Sequence, residues 1–227
     1  MSTPFRPTSL DHVALWVGER TPLASFLCDH LGMHVIEETE SFTLVGVDAK
    51  LGKLTLFEAD GPRVPGALDR VVLRVRDVDD VIDRLPVEVE RDGGGAKFDA
   101  PEGLRLGLTQ ADGVDFDLDH VVLRLPEPRA AAQELAAMGF ERRDGLVAVA
   151  DRHVRLVEGR TDDVGWPLLN HLALLVDSAH EVQREAEERG LEIDDVKDAP
   201  NTFAVFLRGP AGVRIEYVEH KPGFALR

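Results

Sequence analysis

One pattern occurs four times along the chain: LDHVALWV at Leu10–Val17, LDRVVLRV at Leu68–Val75, LDHVVLRL at Leu118–Leu125 and LNHLALLV at Leu169–Val176. Recurrence about fifty residues apart marks one supersecondary unit used repeatedly, so four like pieces must make up the fold. Side chains alternate across a strand, so His120, Val122 and Arg124 share one face while Val121, Leu123 and Leu125 share the other. The wholly apolar face is the one expected to pack on helices.

A helical stretch follows each copy. Pro128 opens the run RAAAQELAAM and Gly139 closes it, while Ser178 and Glu181 have capping-box spacing with Gly190 as the stop. Short strand-like runs come next, at Phe140 to Arg142, Leu146 to Ala150 and His153 to Val157, broken at Asp144-Gly145 and Asp151-Arg152. The unit is therefore strand, helix, three strands. Four tandem βαβββ modules make an α+β protein with two cup-shaped mixed sheets. The acidic stretch Gln110 to Asp117 is expected to be the seam between an N-terminal pair of modules (1–112) and a C-terminal pair (113–227). The glycines of Asp92 to Ala96 read as a loop, since no strand-to-helix transition follows them.

The third position of the four copies is His12, Arg70, His120 and His171. The closing strands begin KLTLFEAD at Lys53, LRLGLTQ at Leu104, VRLVEG at Val154 and VRIEYVEH at Val213, and matching their apolar residues aligns Phe57, Gly107, Val157 and Glu216. If neighbouring modules pair, the N-terminal cup offers His12, Phe57, Arg70 and Gly107, which hold no metal. The C-terminal cup offers His120, Val157, His171 and Glu216. Two imidazoles and a carboxylate suit Fe(II), Mn(II), Co(II) or Zn(II), and an apolar fourth position leaves coordination sites open. The plainer alternative is that these histidines fill strand positions, beside Asp119 or Asn170 as loop residues.

Composition narrows the partners. A formal charge of −16 argues against nucleic acid and anionic membrane surfaces, and no apolar run approaches the roughly 20 residues of a membrane span. The first residues lack the order of a secretory signal, so a cytoplasmic location is expected. A small-molecule substrate remains. The single cysteine, Cys28, reads as a packed thiol, with no disulfide or thiolate cluster to form. His30 and His34 flank Gly32, a helix stop, and read as boundary residues; His180 and His220 read as solvated. Trp16 and Trp166 form no stacking series.

LDHVVLRL, LNHLALLV and GPAGVRIEYVEH together resemble the vicinal-oxygen-chelate superfamily, which includes glyoxalase I, bleomycin-resistance proteins, methylmalonyl-CoA epimerase and type I extradiol dioxygenases. The likeness spans nearly the whole chain, and the four-module layout is most similar to the extradiol enzymes. It implies His120, His171 and Glu216 as ligands of Fe(II), His153 of ADRHVRLV as acid-base group, and a catechol-like vicinal diol as substrate. Val122, Ala173, Leu175 and Phe206 are then expected to face the substrate, with Arg208 on the same strand face as Phe206 meeting an acidic substituent. The chain departs from the extradiol pattern at Phe206, where that pattern has a tyrosine, and at Lys197, where it has a histidine. Two other readings stay open: a glyoxalase-like or epimerase-like isomerase or lyase, and a drug-binding protein of the bleomycin-resistance kind. Four modules supply two cups in one chain, so dimerisation is not required, though a homo-oligomer is compatible.

Overall fold

Four strand-helix-strand-strand-strand units follow one another in the computed structural model, which describes residues 5–48, 52–61, 63–113, 116–160, 166–222 and 224. The first contains β1 (Ser9–Val17), α1 (Arg20–Leu31), β2 (His34–Glu38), β3 (Phe42–Gly46) and β4 (Lys53–Glu58). The second contains β5 (Leu68–Val75), α2 (Val78–Ile82), β6 (Val89–Asp92), β7 (Gly95–Asp99) and β8 (Arg105–Gln110). The third contains β9 (Phe116–Leu125), α3 (Pro128–Ala137), β10 (Glu141–Arg143), β11 (Leu146–Val149) and β12 (Arg152–Glu158). The fourth contains β13 (Leu169–Leu175), α4 (Ala179–Arg189), β14 (Ile193–Asp198), β15 (Thr202–Arg208) and β16 (Arg214–His220).

Local chemistry sets the element ends. Pro128 sits in the first turn of α3, where its missing N–H costs nothing. The Ser178 hydroxyl accepts from the Glu181 amide at the start of α4, and Gly190 turns the chain out in the left-handed region at φ 65°. The glycine run, expected as a loop, forms the turn of the β6–β7 hairpin, where Gly93 takes φ 62°.

The modules form two eight-stranded mixed sheets, as expected, but they pair differently from the expectation. One sheet has the order β14-β15-β16-β13-β1-β4-β3-β2, joining modules one and four; the other has the order β10-β11-β12-β9-β5-β8-β7-β6, joining modules two and three. The division into halves 1–112 and 113–227 is therefore corrected. At the expected seam Asp117 lies in β9, where it is buried and accepts from Arg74 of β5, from Arg152 of β12 and from the Gly52 amide of module one. Residues 114–115 of that seam lie outside the described residues. Chain neighbours usually pair; here β1 and β13 bond across the whole sequence because their central residues match in register.

That register is the same in both sheets. In the first, His12 lies opposite Ala173 and Ala14 opposite His171, with irregularities on either side. In the second, Arg70 lies opposite Val122 and Val72 opposite His120, again between irregularities. Bulges of this kind re-aim side chains while leaving a short run of regular pairs.

The apolar faces of both sheets drain into one core. Val13, Leu15 and Val17 of β1, Val71, Leu73 and Val75 of β5, Val121, Leu123 and Leu125 of β9 and Leu172 and Leu174 of β13 all belong to it. Burying a leucine fully contributes about 2 kcal/mol, and these strands do so at alternate positions. Phe26 of α1 meets Phe98 of β7 at 6.2 Å between ring centroids, and Tyr217 of β16 donates its hydroxyl to the Met138 carbonyl at 2.6 Å. The helices lie over their own sheets and touch the other sheet's module at these points. No helix among the described residues is long and apolar enough to cross a membrane.

Tyr217 is the only tyrosine of the chain, and its burial pushes the phenol well above its ordinary value. Because the folded value exceeds the unfolded value of about 10, Tyr217 is neutral to stability below about pH 10 and erodes it as pH rises further. Tyrosinate absorbance should consequently appear only together with loss of secondary structure. Ionisation of the native protein near pH 10 would contradict the burial.

Candidate metal centre

The face of β1 opposite the core carries His12, and that of β13 carries His171. Their Nε2 atoms lie 3.2 Å apart. Glu216 of β16 stands opposite Ala173, and its Oε2 lies 2.9 Å from His171 Nε2 and 3.3 Å from His12 Nε2. His120 belongs to β9 in the other sheet, so the expected trio is corrected: the structure brings His171 and Glu216 together with His12, not with His120. Modules one and four share a cup, which is the physical reason.

Each imidazole is oriented by the residue before it. Asp11 Oδ2 accepts from His12 Nδ1 at 2.8 Å, and Asn170 Oδ1 accepts from His171 Nδ1 at 3.0 Å. A carboxylate only accepts, so His12 carries its proton on Nδ1 and turns a lone pair on Nε2 toward the cup. Arg214 Nη1 donates to the same Asn170 oxygen at 3.1 Å, which fixes the amide the right way round for His171. Arg214 itself is held by Asp194 at 2.6 Å and lies 4.6 Å over the Phe206 ring. In the three repeats that carry a histidine, the preceding Asp11, Asp119 or Asn170 is an orienting acceptor.

Behind His12 lies a buried ion pair. Lys53 Nζ donates to both oxygens of Asp11, at 2.9 and 2.8 Å, with both residues buried. Burial works against the charge of Asp11, but His12 and the Lys53 ammonium outweigh it and hold the carboxyl well below the usual carboxylate range. Burial also drives His171 down, toward the neutral imidazole that ligates cations.

Three potential ligand atoms thus converge, and Glu216 Oε2 is buried without a geometrically formed hydrogen bond among the described residues. Ligands about 2.1 Å from a shared cation stand roughly 3 to 3.4 Å from one another. The donor set and its spacing fit a divalent metal. The fourth position also needs correcting: strand register makes Thr55, Gly107, Arg155 and Glu216 equivalent, opposite Ala14, Val72, Val122 and Ala173. Matching apolar residues had put Phe57 and Val157 there, each two residues too far along the same face. Thr55 is buried and neutral, leaving the set at two histidines and one carboxylate.

The cup encloses a cavity of ≈ 760 Å³, with Trp16, Phe42, Phe57 and Phe206 among its walls and Lys197 and His220 also lining it. Phe206 meets His171 edge-on at 5.2 Å. Ala173 and Leu175 pack with Phe206, Ala204 and Val218 in a small apolar cluster beneath it. His220, expected to be solvated, is half-buried and stacks on Phe224 at 3.8 Å; burial lowers its pKa.

Three expected residues lie elsewhere. Arg208 is at an exposed strand end and pairs with Asp194 and Glu192, so it faces no cavity ligand. Val122 is buried in the second sheet, opposite Arg70. His153 is in β12, beside His120, with the two rings stacked at 4.4 Å and 14°. Asp119, His120 and His153 gather potential donor atoms within 4.8 Å, but Asp119 already engages His120 Nδ1 at 2.6 Å and the stacked rings are nearly parallel. Burial and His120 lower the His153 pKa.

The family model described as Glyoxalase/Bleomycin resistance protein/Dioxygenase superfamily matches residues 9–217. Among solved structures, a candidate dioxygenase from Bacillus subtilis is 18% identical with a TM-score of 0.77, covering 97% of this chain and 88% of that one. Glyoxalase I from Zea mays is 16% identical with a TM-score of 0.70, covering 94% and 92%. The cppA protein from Streptococcus pneumoniae is 15% identical with a TM-score of 0.66, covering 94% and 98%. No curated protein matches. At such identities these structures share the fold.

Replacing Lys53 by methionine leaves Asp11 buried with only the imidazoles of His12 and His220 beside it, so Lys53→Met should cost about 3 kcal/mol of folding stability. Urea unfolding should show this as a lower midpoint at unchanged slope. A midpoint unaltered by the substitution would mean that Lys53 contributes nothing to compensating Asp11.

Proposed function

The chain belongs to the Glyoxalase/Bleomycin resistance protein/Dioxygenase superfamily, and from that membership we propose a metal-dependent oxygenase that cleaves a catechol-like vicinal diol. His12, His171 and Glu216 would hold the cation. The observation that carries the reading is the convergence of two imidazole lone pairs and one unpartnered carboxylate oxygen within 3.3 Å. Two histidines and one carboxylate with open positions suit Fe(II), while Mn(II), Co(II) and Zn(II) accept the same ligands. When bound, the cation would supply Lewis acidity and neighbouring coordination positions for two substrate oxygens and dioxygen.

The other residues have defined tasks in this reading. Phe57, Trp16 and Phe42 form an aromatic wall against which a flat ring stacks; Trp16 and Phe57 lie 5.5 Å apart and Phe42 and Phe57 5.8 Å. Ala204, Phe206 and Val218, packed on Ala173, keep that part of the cavity wall apolar. His220 lines the same cavity as a half-buried imidazole, neutral near physiological pH, and is the group suited to accept a diol proton. Asp11 and Asn170 keep the two ligating rings in place.

One observation favours a second reading. Phe206 stands in the wall where the extradiol pattern has a hydrogen-bonding tyrosine, while His220 can pass a proton, a pairing that suits isomerase-like transfer between adjacent carbons without dioxygen.

Elemental analysis of anaerobically purified protein should find near-stoichiometric metal in the wild type and in His120→Ala, and little in His12→Ala, His171→Ala or Glu216→Ala. Metal lost equally in His120→Ala would overturn the ligand assignment. Iron-loaded wild type should consume oxygen with at least one member of a catechol panel, and Glu216→Ala should be slower by ~100-fold or more. Solvent proton exchange into an enediol-forming substrate without oxygen uptake would instead select the isomerase reading.

A further inference from the structure

The second cup repeats the backbone of the first with different chemistry at three of the four equivalent positions. Register sets Arg70 where the first cup has His12, His120 where it has His171, Gly107 where it has Thr55 and Arg155 where it has Glu216. We propose that this cup binds a small organic anion through its carboxylate or phosphate oxygens, as a site separate from the metal centre.

Three observations converge on that assignment. Arg70, Lys97 and Arg155 line one cavity of ≈ 420 Å³ together with His120, a concentration of cationic groups in a chain of formal charge −16. Their charges are incompletely met from within. Arg70 lies 3.9 Å from Asp69 and 4.0 Å from Asp92, too far for hydrogen bonds. The exposed Arg155 side chain makes no hydrogen bond or ion pair with the described residues. Lys97 is paired with Glu90 at 2.8 Å, and Asp92 also borders the cavity, so the two guanidiniums are the groups left to bind. Finally, Gly107 borders the cavity without a side chain, where a Cβ would press to 3.0 Å from a Val72 methyl.

His120 borders the site without contributing a charge. Its Nδ1 donates to Asp119, as His12 does to Asp11, which fixes the ring and leaves the anion to the two guanidiniums. Guanidinium groups present planar pairs of N–H donors that match two oxygens of one carboxylate or phosphate. Two arginines at ligand positions repel a divalent cation, so the repeat that makes a metal centre in one sheet makes an anion site in the other.

The test uses the full chain treated with a chelator, in buffer of low, constant ionic strength, because exposed charges are screened by salt. Thermal unfolding is followed against added inorganic phosphate or malonate, with chloride at matched ionic strength as reference. A saturable rise in Tm is expected in the wild type and equally in His171→Ala, whose metal centre is disabled. Arg70→Gln and Arg155→Gln should each weaken the apparent affinity about tenfold, and the double variant should lose the rise. The single variants retain the test if the double variant proves unstable. A rise with phosphate alone assigns a phosphate ligand, and one with malonate alone a carboxylate. No rise beyond chloride, or a rise unaltered by both arginine substitutions, would overturn the proposal.

Discussion

The antiparallel pairing of β1 with β13 is the interaction on which the rest of the molecule depends. It joins the first strand of the first module to the first strand of the last, and it sets Ala14 opposite His171 and His12 opposite Ala173. Shift that register by one residue and every side chain changes face, sending the histidines into the core and leucines into the cup. Irregularities on both sides of the central pairs confine the regular ladder to the residues that matter. The same arrangement at β5 and β9 binds the middle modules, so the outer two modules share one sheet and the inner two share the other.

A cup built this way places polar groups where burial makes them costly, and the fold compensates them in a chain of contacts. Lys53 neutralises Asp11, Asp11 orients His12, Arg214 orients Asn170, and Asn170 orients His171. Every link removes a degree of freedom that a ligating imidazole could otherwise use to turn away. What the chain does not compensate is Glu216 Oε2 facing two lone pairs, a residual electrostatic demand that a cation satisfies.

Duplication of one module with divergent residues at fixed positions explains how two cups on the same scaffold can differ so much. The cup positions face away from the shared apolar core, so exchanging histidine for arginine, or glutamate for arginine, leaves the packing of Val71, Leu73, Val121 and Leu123 intact. Chemistry and stability are segregated onto opposite faces of each strand, a separation that alternation of side chains makes possible.

The sequence by itself determined the module. Four copies of one apolar alternation, helix stops at Gly32 and Gly190 and the capping serine at Ser178 are local signals, and α+β architecture with two cup-shaped sheets follows from them. His171 and Glu216 were legible as members of one constellation because they lie in the same module. Their third companion was not. His12 and His120 stand at the same place in nearly identical repeats, and the choice between them depends on which first strands hydrogen-bond, a contact spanning most of the chain. The fourth position and the location of His153 and Val122 failed for the same reason: strand register and module pairing are set by packing across the whole core, and no local pattern records them.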